Sequence, residues 1–213
     1  MTNNKFKKKW LNNHLRDHYV KLSKKDGYRS RAVYKLIEID QSEKIIRPGQ
    51  TIIDLGCFPG SWLQYLKKKL VNKNNNSING KIIGLDLVEI VPLSDIIFVK
   101  GDFMDKHTFS YLKNVLGGKK ADLILSDMSP NLSGISIIDN EKVINIADLV
   151  IDFAIFNIKS SGSVLFKCFN GTGYDQIISK FNSIFKKVLT KKPKASRDKS
   201  SEVYLLGKGI KNS

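Results

Sequence analysis

Two lysines and two carboxylates occupy informative places in this chain: Lys35, Asp127, Lys167 and Glu202. Lys35 lies in the segment Ser30 to Leu36, where Ser30 can cap a helix whose Val33, Leu36 and Ile37 share one face. Asp127 ends the apolar run that starts at Leu123 and precedes Met128, Ser129, Pro130 and Asn131. Lys167 ends the run Val164, Leu165, Phe166, and Glu202 opens the run Val203 to Leu206. Lysine and aspartate are uncommon at the end of a buried parallel strand, so Asp127 and Lys167 ask for a chemical role. Ammonium and carboxylate groups brought to one point can move a proton. Taken singly, Lys35 and Glu202 read as solvated surface charges.

A second group is acidic and glycine-rich. Asp54, Leu55, Gly56, Cys57, Phe58, Pro59, Gly60, Ser61 and Trp62 join a strand to a helix. Glycines allow close approach of backbone to a ligand, and Pro59 restricts the turn. The Gly56-to-Gly60 spacing differs from the tighter glycine fingerprint that cradles a pyrophosphate. That points to a ligand without phosphate, S-adenosylmethionine, and away from a nicotinamide cofactor. Asp86 ends the next strand, where a carboxylate can bond ribose hydroxyls. Asp102, with Phe103 beside it, is placed to meet an adenine ring. Each acid could also serve only to form a turn or cap a helix; three of them after three successive strands favour a binding role.

These residues need a scaffold that brings them to one edge. Strands are expected at 51–55, 81–86, 96–99, 122–126, 163–167 and 202–207, with a weak one at 187–190. Helices are expected at 61–70, 140–158 and 173–186. The alternation means a mostly parallel α/β sheet with helices on both faces, with ligands bound beyond the carboxyl ends of the strands. Glu202 begins its strand, so that strand must run antiparallel to reach the same edge. Residues 1–29 read as a basic arm with a helical part, and 30–213 as a single domain.

Composition sets the partners. The 213 residues carry 36 Lys/Arg against 20 Asp/Glu, a net charge of +16. The excess is concentrated: ten basic and two acidic residues in 1–31, seven and one in 186–199. Such clusters suit a surface that meets nucleic-acid phosphate, and the two stretches are expected to form the rim of the reaction centre. Cys57 and Cys168 fit a reduced compartment better than a disulfide framework. His14, His18 and His107 are too few and scattered for a metal site, so no metal is expected. No apolar run approaches a membrane span. The reading is a cytoplasmic protein without membrane association or an evident obligate protein partner; a short organellar targeting stretch before Trp10 stays open.

From about Trp10 to Gly207, the four residues in their order and context, with the Asp54–Gly60 turn, resemble the FtsJ-type RNA 2′-O-methyltransferases. The resemblance implies a Rossmann-like fold with a seven-stranded sheet and an antiparallel last strand. It implies contacts to the methyl donor from Gly60, Trp62, Asp86, Asp102 and Asp127, with Asp54, Gly56 and Phe103 beside them. Lys167 is then the proton acceptor. Lys35 supplies a second positive charge and holds RNA, Asp127 orients Lys167, and Glu202 positions the lysines and the attacking ribose. Cys57, Phe58 and Ser61 depart from the small residues usual in the family and alter the shape of the pocket. The layout is most similar to enzymes that methylate a uridine in the A-loop of large-subunit ribosomal RNA. Transfer RNA is the alternative substrate, and an inactive RNA-binding module of the same fold the alternative role.

Overall fold

The computed structural model describes residues 17–72, 77–130, 134, 136–171, 173–197 and 200–211. Trp10, His14, residues 1–16 of the basic arm, Asn131 and Lys199 lie outside them. Among the described residues seven strands form one sheet: β1 Thr51–Leu55, β2 Lys81–Asp86, β3 Ile97–Lys100, β4 Ala121–Ser126, β5 Ile158–Phe169, β6 Phe185–Lys191 and β7 Glu202–Ile210. Their spatial order is β3-β2-β1-β4-β5-β7-β6. The first five pair in parallel. β7 runs antiparallel between β5 and β6, as the position of Glu202 requires.

Helices α1 His18–Lys25, α2 Val33–Glu43, α3 Ser61–Leu70, α4 Lys106–Leu116, α5 Ser136–Asn157 and α6 Tyr174–Ile184 cover the faces. Three expectations need correction. Ser30 does not cap α2, which starts at Val33 behind Ala32 with no side-chain cap; its hydroxyl is instead 2.8 Å from that of Ser61, a tertiary partner on α3. The weak strand at 187–190 is a full edge strand, and its start at Phe185 ends α6 at Ile184. α4 was not expected. Asp105 caps it by accepting from the Thr108 amide, Gly117 ends it in the left-handed region, and Leu112 and Leu116 are its buried stripe.

Strand alternation assigns the core. Ile53, Leu55, Ile124, Val164 and Phe166 pack with Phe153 and Phe181 of α5 and α6. Ile52, Leu123, Leu125, Leu165, Tyr204 and Leu206 pack with Val33 and Leu36 of α2 and with Leu63 and Leu66 of α3. Residues 17–29 join this second layer through Tyr19, Leu22 and Tyr28. Buried Asp40 ties α2 to α3, accepting from the Ile46 amide and the Tyr65 hydroxyl and pairing with Lys69 at 3.0 Å. Among the described residues no helix is long and apolar enough to cross a membrane.

Candidate active site

The same alternation builds the site. Continuing two residues at a time along the α2/α3 face leads from Ile52 to Asp54, from Leu125 to Asp127, from Leu165 to Lys167, and from Leu206 back through Tyr204 to Glu202. β5 and β7 pair Lys167 with Tyr204 and Phe169 with Glu202. Lys167 therefore sits within β5, two residues before its end, while Asp127 follows the last residue of β4. α2 brings Lys35 to the same place.

The four residues meet as two ion pairs. Lys35 Nζ is 2.7 Å from Glu202 Oε2, and Lys167 Nζ is 3.0 Å from Asp127 Oδ1. Lys167 also donates to the main-chain carbonyl of Asp127. Tyr204 links the pairs: its hydroxyl donates to Asp127 Oδ1 at 2.7 Å, and Lys35 Nζ lies 5.8 Å from its ring centre. Burial would raise the Asp127 pKa, but Lys167, Lys35 and the Tyr204 hydrogen bond hold it below the ordinary carboxylate value. Burial, reinforced by Asp127 and Glu202, pushes the Tyr204 phenol well up, so it stays a donor. The sequence reading missed Tyr204, because an aromatic residue in a buried strand looks like ordinary core.

Beside this centre, at the carboxyl ends of β1, β2 and β4, is an open cleft of about 730 Å³. Gly56, Asp86, Asp102, Phe103 and Asp127 line it, with Phe58, Val88 and Met104 as apolar wall. Asp86 is oriented by two backbone donors, Phe58 N at 2.8 Å and Val88 N at 2.9 Å. Asp102 accepts from Met104 N at 2.9 Å. Each carboxylate oxygen has two acceptor positions, so both acids can still accept from a ligand. At Gly56, φ is +75° and a Cβ would lie 2.5 Å from Met128 Cγ, so only glycine fits.

Asp54, Gly60 and Trp62 are not among the residues lining this cleft. β1 turns Asp54 under α3, where it is fully buried and neither carboxylate oxygen has a hydrogen-bond partner among the described residues. Burial, with Asp127 and Asp86 nearby, raises its pKa well above the usual value and favours the neutral acid. The Trp62 indole is buried too; it donates to the Ala32 carbonyl at 2.9 Å and packs 6.1 Å from the Tyr204 ring. Gly60, at φ +99°, lies tight under the Arg29 guanidinium. The Gly60 amide donates to the Cys57 carbonyl at 2.6 Å, and its carbonyl accepts from the Gln64 amide at 3.0 Å. Among the described residues no group of His, Cys, Asp or Glu is arranged to hold a metal.

The basic rim is divided in use. Lys24, Lys25, Lys194 and Arg197 are exposed. Lys186 and Lys187, expected on the rim, open β6 opposite the end of β7, where Lys187 pairs with Lys208, so the antiparallel register puts them at the far end of the sheet from Glu202. Lys191 pairs with Glu43, and the Lys192 ammonium donates to the carbonyls of Ser200 and Glu202. These last two lysines brace the loop between β6 and β7.

The model of the FtsJ-like methyltransferases matches residues 28–210. The chain is 55% identical, over all of its own length and 99% of the relative's, to ribosomal RNA large subunit methyltransferase E of Herminiimonas arsenicoxydans. It is 46% identical to the protein of that name from Paraburkholderia phymatum, over 99% of each chain. Among solved structures, one described as a ribosomal RNA methyltransferase from Plasmodium falciparum superposes with a TM-score of 0.76 at 31% identity. It covers 86% of this chain and 98% of that one. Fibrillarin of Aeropyrum pernix, at 14% identity and a TM-score of 0.54 over 84% of this chain and 75% of that one, shares the fold.

Proposed function

The chain belongs to the FtsJ-like methyltransferase family, and on that premise we propose that it methylates the ribose 2′-hydroxyl of a uridine in large-subunit ribosomal RNA, in the A-loop. The methyl donor is S-adenosyl-L-methionine. The cleft suits such a molecule: its volume is in the range of small-molecule sites, its walls are largely apolar, two carboxylates present acceptors, and Gly56 leaves room at the floor. Asp86 would hold the ribose hydroxyls and Asp102 the adenine amino group, with Phe103 and Met104 beside the base. When bound, the donor supplies a methyl group on a positively charged sulfur, already a good electrophile.

The protein's task is to align the 2′-oxygen and take its proton. One observation carries the assignment: Lys167 Nζ is held by two acceptors of one residue, the carbonyl and the carboxylate of Asp127. The resting ammonium first gives up a proton to solvent; the neutral amine then has two N–H donors and one lone pair, so engaging both donors with Asp127 leaves the lone pair free for the ribose proton. Lys167 is the base and Asp127 its orienter. Lys35, fixed by Glu202, adds positive charge where an alkoxide develops and a phosphate would lie. The exposed Lys194 and Arg197, in the loop that leads to Glu202, supply phosphate contacts, which position RNA without reading its sequence. The proposed setting is the cytoplasm.

Incubation with labelled S-adenosylmethionine and large ribosomal subunits or transfer RNA, followed by mapping of 2′-O-methyl sites, tests the reading. Label in a large-subunit uridine is expected. Label in transfer RNA alone would change the substrate and leave the chemistry; no ribose methylation would remove the whole proposal.

A further inference from the structure

The loop between β6 and β7 is docked with more care than an electrostatic rim needs. The Glu38 carboxylate on α2 accepts from two successive backbone amides, Lys194 N at 2.6 Å and Ala195 N at 2.9 Å. Arg31 donates to the Ala195 carbonyl. Ala195 is fully buried in the core layer under α2, and the Ser196 amide closes a turn onto the Pro193 carbonyl at 2.9 Å. A loop whose only work is to display charge has no use for a buried residue and four fixed backbone contacts.

These contacts place one side chain. The Ser196 hydroxyl, itself buried, donates to Glu202 Oε1 at 2.8 Å, while Lys35 takes Oε2 at 2.7 Å. Glu202 is buried as well. A buried carboxylate with one oxygen unpaired is costly and free to rotate or protonate. Its partner ammonium would then lose a fixed direction. On the proposed methyl-transfer chemistry, we propose that Ser196 is a positioning residue for the reaction: it locks Glu202, Glu202 aims Lys35, and Glu38 holds the turn that carries Ser196. Ser196 is not among the residues that line the cleft, so its effect falls on turnover and not on donor binding.

The test is steady-state methyl transfer to large-subunit RNA by the full-length protein, with donor binding measured by calorimetry. Ser196→Ala removes a hydrogen bond to a charged group, and kcat should fall by about ten- to a hundredfold with the donor Kd held and the melting temperature lowered only by the few degrees that an unpaired carboxylate oxygen costs. Ser196→Thr keeps the hydroxyl and should recover most of the loss. In a Glu202→Gln background, Ser196→Ala should cost little more, because two residues acting as a unit are not additive. Full kcat in Ser196→Ala, or an undiminished further loss in the Glu202→Gln background, overturns the role of Ser196. A wild-type protein without RNA methyl transfer overturns the underlying reading and the inference with it.

Discussion

The proposed donor cleft and the proposed reaction centre share an edge of the sheet but are built by different means. In the cleft, Asp102 is held by an amide two residues away, and Asp86 by amides of its own turn and the β1–α3 turn. Their carboxylates keep capacity for a ligand. In the reaction centre every ionised group is engaged by another side chain from a distant part of the chain. The Lys35–Glu202 pair spans 167 residues, the Tyr204–Asp127 hydrogen bond 77, and the Lys167–Asp127 contact 40. Backbone-held acids act singly, whereas a closed network of side chains acts as one unit. Changes in the cleft should therefore be local and additive, and changes in the centre coupled.

The largest effect expected is at the base. Lys167→Met should cut methyl transfer by ~10²–10⁴ while donor binding, followed by calorimetry, survives; ordinary turnover would take Lys167 out of the mechanism. Tyr204→Phe comes next. It removes one hydroxyl from Asp127, and the rate should drop about ten- to a hundredfold, with almost no added cost in the Lys167→Met background. Additive losses would show that the centre is not a unit. On the other side of the comparison, Asp86→Ala should weaken the donor by ~1–3 kcal/mol and leave the turnover of saturated enzyme nearly intact. A collapse of kcat there would mean that the two regions are not separable.

The smallest effect concerns Asp54, which belongs to neither region's working surface. Its folded pKa is raised, so as pH rises the unfolded chain gives up this proton first and stability falls from the ordinary carboxylate range, ~4, upward. Asparagine cannot titrate and keeps the shape. Melting curves across pH should show Asp54→Asn gaining on the wild type as pH increases above ~4. A gap that does not change with pH would mean that the Asp54 carboxyl titrates alike folded and unfolded, and one that moves the other way that it is ionised and paired in the fold.

The same contrast explains what the sequence disclosed. Asp86, Asp102 and Gly56 were legible because local backbone places them: a strand end, a turn, a positive φ. Asp127 and Lys167 were legible because each is a charge where the pattern demands apolar residues. Lys35 and Glu202 gained meaning only beside those two. Tyr204 and Ser196 stayed hidden for opposite reasons. Tyrosine in an apolar strand looks like packing, and serine in a lysine-rich loop looks like linker; their roles depend on the strand register and on the docking of the loop on Glu38. Ser30 shows the reverse error: it had a local explanation, a cap, and its side chain found a tertiary partner instead, Ser61. The α4 helix was overlooked although Asp105 and Gly117 mark both its ends.

β7 is the latest of the seven strands in chain order, yet it lies between β5 and β6. During synthesis β5 and β6 emerge without the strand that joins them, each with an open edge able to pair with the wrong chain. Glu202 and Tyr204 arrive only with that closing strand. The nascent protein can thus assemble Asp86, Asp102 and the donor cleft while its reaction centre is still missing two members. On the proposed function, a protein built in this order cannot act on the RNA of the machine that is making it until β7 has been laid down.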